Sequence, residues 1–302
     1  MEFGLPPNTL EATDTVQLIA LYVARQVLDE ATRGAAGRID RNRIGVILGV
    51  GVGSELLCEM TGRLNRPIWL KALREEGVPE PEAQTICDRI ANQFVPWQEA
   101  TFPRLLGNVV AGRIANRLDL GGTNLTADAA CASSFAALKF AVQELRLGEA
   151  DLVLTGGADA LNNILMYTCF SKTPALSPSG DCRPFSAEAD GTILGEGAGI
   201  LALRRLRDAE RDGDPIYAVI RAVGASSDGR ANSVYAPRSE GQASAIRGPS
   251  KPPVMVRAPS NSSKPMVPEH APAMRQNSPG CAKASPMTQA GTGARSVPSS
   301  RK

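Results

Sequence analysis

Histidine is almost missing from this 302-residue chain, which has one, His270, beside 33 Lys+Arg and 31 Asp+Glu. A two-histidine metal site, or a mechanism needing two imidazoles, is therefore excluded within these residues. Excess charge of either sign is missing too. A net charge of +2 argues against a nucleic-acid partner held by phosphate neutralisation. The longest apolar stretches, around 16–24 and 44–53, fall far short of the ~20 residues of a membrane span. The six cysteines, at 58, 87, 131, 169, 182 and 281, form no CxxC pair and no metal-like spacing. No GxxxxGK[ST] run is present, which argues against a P-loop kinase or ATPase. The opening MEFGLPPNTLEATD has an acid and two prolines where a secretory signal places basic residues and an apolar run. The expectation is a cytoplasmic protein with free thiols, no metal and no cofactor.

What is present divides at residue 247. From Gly248 to Lys302 there are ten Pro and nine Ser, eight basic residues and one acid, Glu269, and no aromatic residue, Leu or Ile. The first 247 residues carry 25 basic against 30 acidic residues, net −5, whereas the tail is net +7. A segment so poor in large apolar side chains cannot offset a backbone ordering entropy of roughly 1–2 kcal/mol per residue. Residues 248–302 are expected to be disordered, and 1–247 to form one domain with a substantial core.

Within that body, helix and strand patterns alternate. Val16, Ile19, Ala20, Val23 and Val27 recur at three and four residues, predicting a helix over 14–32. The run RIGVILGV (43–50) is near-continuously apolar and runs into glycines, as a strand buried on both faces does. Further helices are predicted over 81–94, 106–118, 132–147 and 204–212, with Met166 and Phe170 on another. The face Phe135, Leu138, Val142 and Leu145 is expected to be the buried one of 132–147. Strands are predicted over 123–129, 151–155 (closed by Gly156-Gly157), 199–203 and 217–224. The fold class is α/β, with a mostly parallel sheet covered by helices.

Two glycine patterns resemble phosphate loops. Gly49-Val-Gly51-Val-Gly53 follows a strand and Gly195-Glu-Gly197-Ala-Gly199 precedes one, but neither spells GxGxxG. Lys71, Arg74, Glu75 and Glu76 lie about twenty residues past the first, where a dinucleotide site has its ribose acid. Tight turns and close backbone approach account for the glycines more simply. The run Asp128-Ala-Ala-Cys131-Ala-Ser-Ser134 is more informative, because a strand ends, a cysteine occupies the turn and an amphipathic helix follows. A thiol at a helix N-terminus faces unpaired N–H groups and the positive end of the helix dipole, which favour the nucleophilic thiolate. The same donors suit an oxyanion formed at a thioester carbonyl. The alternative is a small buried hydrophobe, the ordinary role of a free cysteine.

The run DAACASS (128–134) resembles the active-site motif of β-ketoacyl synthases, the condensing enzymes of fatty acid and polyketide synthesis. The resemblance continues through GEADLVLTGGADAL (148–161), FSKTPALSPSGDCRPFSAEADGTILGEGAG (170–199) and YAVIRAVGASSDGRANSVYAPRSEGQ (217–242). Upstream, PPNTLEATDTVQL (6–18) and FPRLLGNVVAGRIANRLDLGGTN (102–124) are similar to ketosynthase domains of polyunsaturated fatty acid synthases and iterative polyketide synthases. Together these blocks span about 5–242. The resemblance implies the N-terminal half of a thiolase-like fold and decarboxylative Claisen condensation. Cys131 would accept an acyl chain as a thioester from acyl carrier protein or acyl-CoA. Its backbone N–H would help to hold the oxyanion, and a malonyl group on acyl carrier protein would supply the attacking carbanion. Two histidines from the second half of the fold would polarise the malonyl thioester. Phe170 stands where the family has an aromatic lining the acyl pocket, and a core aromatic is the other explanation for it. Asp181 and Arg183 are expected to pin a loop, and Gly156-Gly157 and Asp190–Gly199 to shape turns. A homodimer is the oligomer the family implies.

The resemblance also has limits. The family's HGTGT-like and KxxIGH-like turns have no counterpart, and His270, in VPEHAPAM, matches neither. The family's opening strand with its VGMG-like turn is likewise unmatched before PPNTL. The expectation is a fragment left by truncation or frameshift, because the break at about Gln242 falls inside a folding unit. A flexible linker toward a separately encoded second half is the competing explanation. Such a chain would be poorly soluble and inactive in condensation. A non-catalytic partner protein, a remnant of a frameshifted gene and a nucleotide-binding α/β protein remain as other classes.

Overall fold

The computed structural model describes Pro6, Leu10 and residues 13–34, 38–51, 55–98, 101–230 and 236–248, except for the side chains of 55–59 and 104. The expected disordered tail and His270 lie outside the described residues, apart from Gly248. The chain forms two compact units, one of residues 1–173 and 194–223, the other of 174–193 and 224–302.

The first unit is built on a mixed four-stranded sheet. In chain order its strands are β1 (Ile44–Gly49), β2 (Asn124–Ala127), β3 (Leu152–Asp159) and β4 (Gly197–Leu203), arranged in the order β2-β1-β3-β4. β1 runs parallel to both β2 and β3, whereas β4 is antiparallel to β3. Every residue of β1 is buried, as its unbroken apolar run requires of a central strand. Gly156 and Gly157 do not close β3 as expected from the sequence. They remain in the ladder, opposite Ile200 and Gly199, and the strand continues to Asp159. A Cβ at Gly156 would lie 1.9 Å from the carbonyl oxygen of Gly199, so the lack of a side chain lets the two strands close.

Alternation along the strands divides the core between two faces. On one, Val46, Leu48, Leu152 and Leu154 meet Ala20, Leu21, Ala24 and Leu28 of α1 (Thr15–Thr32). Val110, Ala111 and Ile114, from the helix Val109–Leu118, complete that layer. Asp14 caps α1 by accepting the Val16 N–H at 3.1 Å. On the other face, Ile47 and Val153 pack against Ala137, Ala141 and Leu145 of the helix Ser133–Leu147.

The buried face of that last helix is a correction. Phe135, expected inside, is 69% exposed, and the residues against the sheet are Ser133, Ala137, Ala141 and Leu145. Small side chains occupy most of the contact because the helix lies close to the strands; of the expected face Leu145 is buried, Leu138 and Val142 are half-buried and Phe135 faces away. The region 55–98 adds three helices, Glu55–Leu64, Arg66–Glu75 and Glu80–Ala91, the first two not among those expected from the sequence. The second and third of these enclose a small core of Leu70, Ala83 and Cys87, and Trp69 stacks on Phe94 with ring centroids 6.1 Å apart.

Residues 217–224, expected as a strand, join no ladder. Residues 216–220 instead line an apolar groove of about 490 Å³ with Val27, Leu145 and Leu203, and the Tyr217 hydroxyl donates to Glu30. β-branched composition favours a strand only where a partner edge is in register.

In the second unit, Leu176 bridges to Thr192 in parallel, and a helix spans Ser239–Arg247. The Arg183 guanidinium donates to Asp181 at 3.0 Å, a local ion pair across the SGDCRPF loop.

The beginnings of β1 and β3 are clamped by charge. Arg43, just before β1, donates to Asp151, just before β3, at 2.6 Å, and Arg205 bonds the same carboxylate from beyond β4. Arg205 also donates to the carbonyls of Leu145 and Ala150, at 3.1 and 2.6 Å, tying down the end of the helix 133–147. The two guanidinium groups, Arg43 foremost, outweigh partial burial and lower the Asp151 carboxyl to about 2. A carboxylate depressed in the folded state stabilises it above its unfolded pKa, and that contribution disappears as pH falls from about 4 toward 2. Asp151→Asn is expected to cost about 1–2 kcal/mol at neutral pH and to flatten the loss of stability between pH 4 and 2. Urea melts of both proteins across that range check it; parallel curves would show that Asp151 contributes nothing.

Candidate functional site

The site is made where β1, β2 and β3 end. β2 gives way to Asp128 and Ala129, a short 3-10 turn covers Ala130–Ala132, and the helix 133–147 begins at Ser133. Cys131 sits in the turn and is exposed. Among the described cysteines Cys169 and Cys182 are also exposed and free, and Cys87 is buried. Cys131 thus departs from the buried-hydrophobe alternative.

Five hydrogen bonds fix the turn, one of them from the Ser133 N–H to the Ala130 carbonyl. The Asp128 carboxylate accepts the Ala130 N–H at 2.9 Å, and the Ala132 N–H reaches the Ala129 carbonyl at 3.0 Å. The Ser133 hydroxyl accepts the Ala129 N–H at 2.9 Å and donates to the Ala130 carbonyl at 2.6 Å. The N–H of Cys131 has no acceptor among the described residues. It is left at the start of a 15-residue helix, where unpaired N–H groups and the helix dipole favour an anion. Ala130 holds φ at +48°, a left-handed conformation that non-glycine residues seldom adopt.

Glycine brings this helix to the sheet. A Cβ on Gly49 would stand 2.3 Å from both the Ser133 carbonyl carbon and the Ser134 nitrogen. Gly157, its partner across the β1–β3 ladder, faces the Ser134 Cβ, with 3.0 Å to an added Cβ. The close-approach explanation of Gly49 is therefore satisfied by the protein's own helix. A Cβ added at Gly51, Gly195, Gly197 or Gly199 would meet nothing within 4 Å, and Gly53 lies outside the described residues.

Phe170 is half-buried on the helix Ile164–Lys172. Met166, one turn earlier, is half-buried as well, while residues 164, 165 and 167–169 are exposed, so the two share one face of the helix. No hydrogen bond or ring contact joins Phe170 to Cys131 among the described residues. In the second unit, Ser177 donates to Asp190 at 2.6 Å and the Ser179 N–H reaches the same carboxylate at 3.3 Å. These bonds, Ser177 first, hold the Asp190 carboxyl below the usual carboxylate range. Ser133 is a member of the site that no sequence pattern singles out. Its one signal is a small hydroxyl residue at the first position of a helix.

No group of three metal-ligating side chains occurs among the described residues. No described helix is long and apolar enough to cross a membrane. An open cleft of about 970 Å³ lies elsewhere in the first unit, lined in part by Asp40, Asn42, Asn116, Asp119 and Asn124.

Comparison with known proteins gives consistent relatives. The family model for the beta-ketoacyl synthase N-terminal domain matches residues 1–209. One subunit of the polyunsaturated fatty acid synthase of Thraustochytrium sp. is 41% identical over 246 residues, covering 82% of this chain and 9% of that protein. The spectinabilin polyketide synthase system protein NorC of Streptomyces orinoci is 34% identical over 245 residues, 81% of this chain and 9% of its own length. Among solved structures, the ketosynthase from module 6 of the bacillaene synthase of Bacillus subtilis 168 superposes with a TM-score of 0.60 at 27% identity. That match covers 81% of this chain and 36% of the ketosynthase chain. The chain thus spans about a tenth of the length of these two curated relatives.

The helix contact at Gly49 is testable without any substrate. Gly49→Ala is expected to destabilise the fold by about 2–4 kcal/mol, because the new methyl meets backbone atoms that cannot move aside. Gly51→Ala, two residues on in open space, is the control and should change stability by less than about 0.5 kcal/mol. Equal denaturation midpoints for the two variants would show that the helix does not rest on Gly49.

Proposed function

This chain belongs to the β-ketoacyl synthase N-terminal domain family, and we propose that it performs the acyl-accepting half of a condensing reaction, with Cys131 as nucleophile. The observation that carries this is the exposed Cys131 in a fixed turn, with its own N–H unpaired among the described residues at the start of a long helix. In the first step the Cys131 thiolate attacks the carbonyl of an acyl thioester on acyl carrier protein or coenzyme A. A carbon–sulfur bond forms to Cys131, and the Cys131 N–H is placed to donate to the resulting oxyanion. Collapse breaks the bond to the carrier, whose thiolate leaves and takes up a proton. In the second step a malonyl thioester on acyl carrier protein loses carbon dioxide. Its carbanion attacks the Cys131 thioester; a carbon–carbon bond forms, the bond to sulfur breaks, Cys131 leaves as the thiolate and the 3-ketoacyl chain remains as a thioester on the carrier protein.

The second step asks for more than these residues hold. In the family two imidazoles polarise the malonyl thioester, and the only histidine here is His270. Acylation draws on the Cys131 turn alone, whereas groups acting as a unit in condensation fail together. Residues 1–247 are the ketosynthase-like domain in this proposal, and Phe170 lines the acyl chain's path. A second copy of the chain is the oligomeric partner the family implies.

The experiment is to incubate the full chain with an acyl-CoA and malonyl-acyl carrier protein. The expected result is an acyl mass shift on the Cys131 peptide, absent in Cys131→Ala, with 3-ketoacyl product no higher than in that variant. Acylation elsewhere, or none, would overturn the assignment of Cys131. Product above the control would show that condensation here does not need the two imidazoles.

A further inference from the structure

The Cys131 turn contains a conformation that its local sequence does not favour. Ala130 sits at φ +48° immediately before the cysteine, in the region that glycine tolerates and alanine does not. Such a residue persists only where its surroundings hold it. Two side chains do so. The Asp128 carboxylate accepts the Ala130 N–H at 2.9 Å, fixing one side of the residue. On the other side the Ala130 carbonyl accepts the Ser133 N–H, and the Ser133 hydroxyl donates to that carbonyl at 2.6 Å while accepting the Ala129 N–H at 2.9 Å, the one link from it to the peptide before Ala129. One oxygen thus ties together the peptides before Ala129 and after Ala130, and the cysteine is the next residue.

Ser133 is well fixed for this task. It is 6% exposed, and its carbonyl carbon lies over Gly49, so its backbone belongs to the contact between helix and sheet. Its hydroxyl has both its donor and an acceptor position used within the turn. That arrangement consumes the polar groups around Cys131 and leaves the Cys131 N–H unspent.

We propose that Ser133 is the positioning residue of the nucleophile: the two hydrogen bonds of its hydroxyl hold Ala130 in the left-handed conformation that sets Cys131 and its N–H at the end of the helix. It does not touch substrate. The proposal rests on Cys131 being the acyl acceptor, and it concerns how that thiol is presented. Without the hydroxyl, Ala130 relaxes to negative φ, the peptide between Ala130 and Cys131 rotates, and the sulfur leaves the end of the helix. The thiolate then loses the donors and dipole that favour it.

The test uses iodoacetamide on the full-length chain at neutral pH, with labelling of each cysteine peptide followed by mass spectrometry. In the unmodified sequence Cys131 should label faster than Cys169 and Cys182, which are also exposed but outside the turn. In Ser133→Ala the rate of Cys131 labelling should fall about tenfold. Cys169 should label as before. Adding Ala130→Gly should recover most of the loss, because glycine adopts φ +48° without being held. A purely structural serine would alter the melting temperature, leave the ratio of Cys131 to Cys169 labelling in place and gain nothing from Ala130→Gly. An unchanged Cys131 rate in a folded Ser133→Ala protein overturns the proposal. So does a Ser133→Ala/Ala130→Gly protein that stays unreactive or unfolded. If Cys131 labels no faster than Cys169 and Cys182 in the unmodified chain, the nucleophile assignment itself fails, which is a separate outcome.

Discussion

The approach of one helix to one pair of glycines governs this structure. The helix 133–147 begins directly over Gly49, with its first peptide where a side chain would otherwise be, and Gly157 on the adjacent strand leaves room for the Ser134 Cβ. Everything at the site follows from that distance. The alanines at 137 and 141 keep the helix close along its length, and Leu145 fills the far end. The turn before the helix then lies beyond the strand ends, so Cys131 is exposed although the residues around it are tightly fixed. A bulkier residue at 49 would lift the helix from the strands and disturb the turn.

The opposite ends of the same strands are held by different physics. There Arg43, Asp151 and Arg205 form a partly buried charge cluster, and Arg205 also binds the carbonyls at the end of the helix. The helix is thus fixed sterically at its beginning and electrostatically at its end. At its positive terminus the Cys131 N–H has no acceptor among the described residues, while at its negative terminus the Leu145 carbonyl is bound by a guanidinium.

Much of this is legible in the sequence, and the gaps have physical causes. The strand–cysteine–helix order around 124–147 can be read because a buried strand and an amphipathic helix have different periods. Close backbone approach is likewise the simpler explanation of Gly49 before any contact is seen. The buried face of the helix cannot be read from hydrophobicity, which ranks Phe135 above Ala137, whereas a closely packed helix selects by size. Gly156 and Gly157 resemble a stop in the sequence and are a place where two backbones meet. The stretch 217–224 has strand composition, but composition does not show whether a partner edge is in register. Nothing distinguishes Ser133 from Ser134 until the hydrogen bonds of the turn are seen.

The pairing of Gly49 with Gly157 bears on when the cysteine turn can form. The two residues are separated by roughly 100 positions, and parallel pairing over such a span is slow to form because loop closure must come first. The cysteine turn depends on both, so it is assembled late, after β1 and β3 have met. During synthesis the thiol would emerge from the ribosome as an ordinary cysteine in an unfolded segment. Whatever the end of the helix confers on that thiol is then acquired only on completion of the sheet.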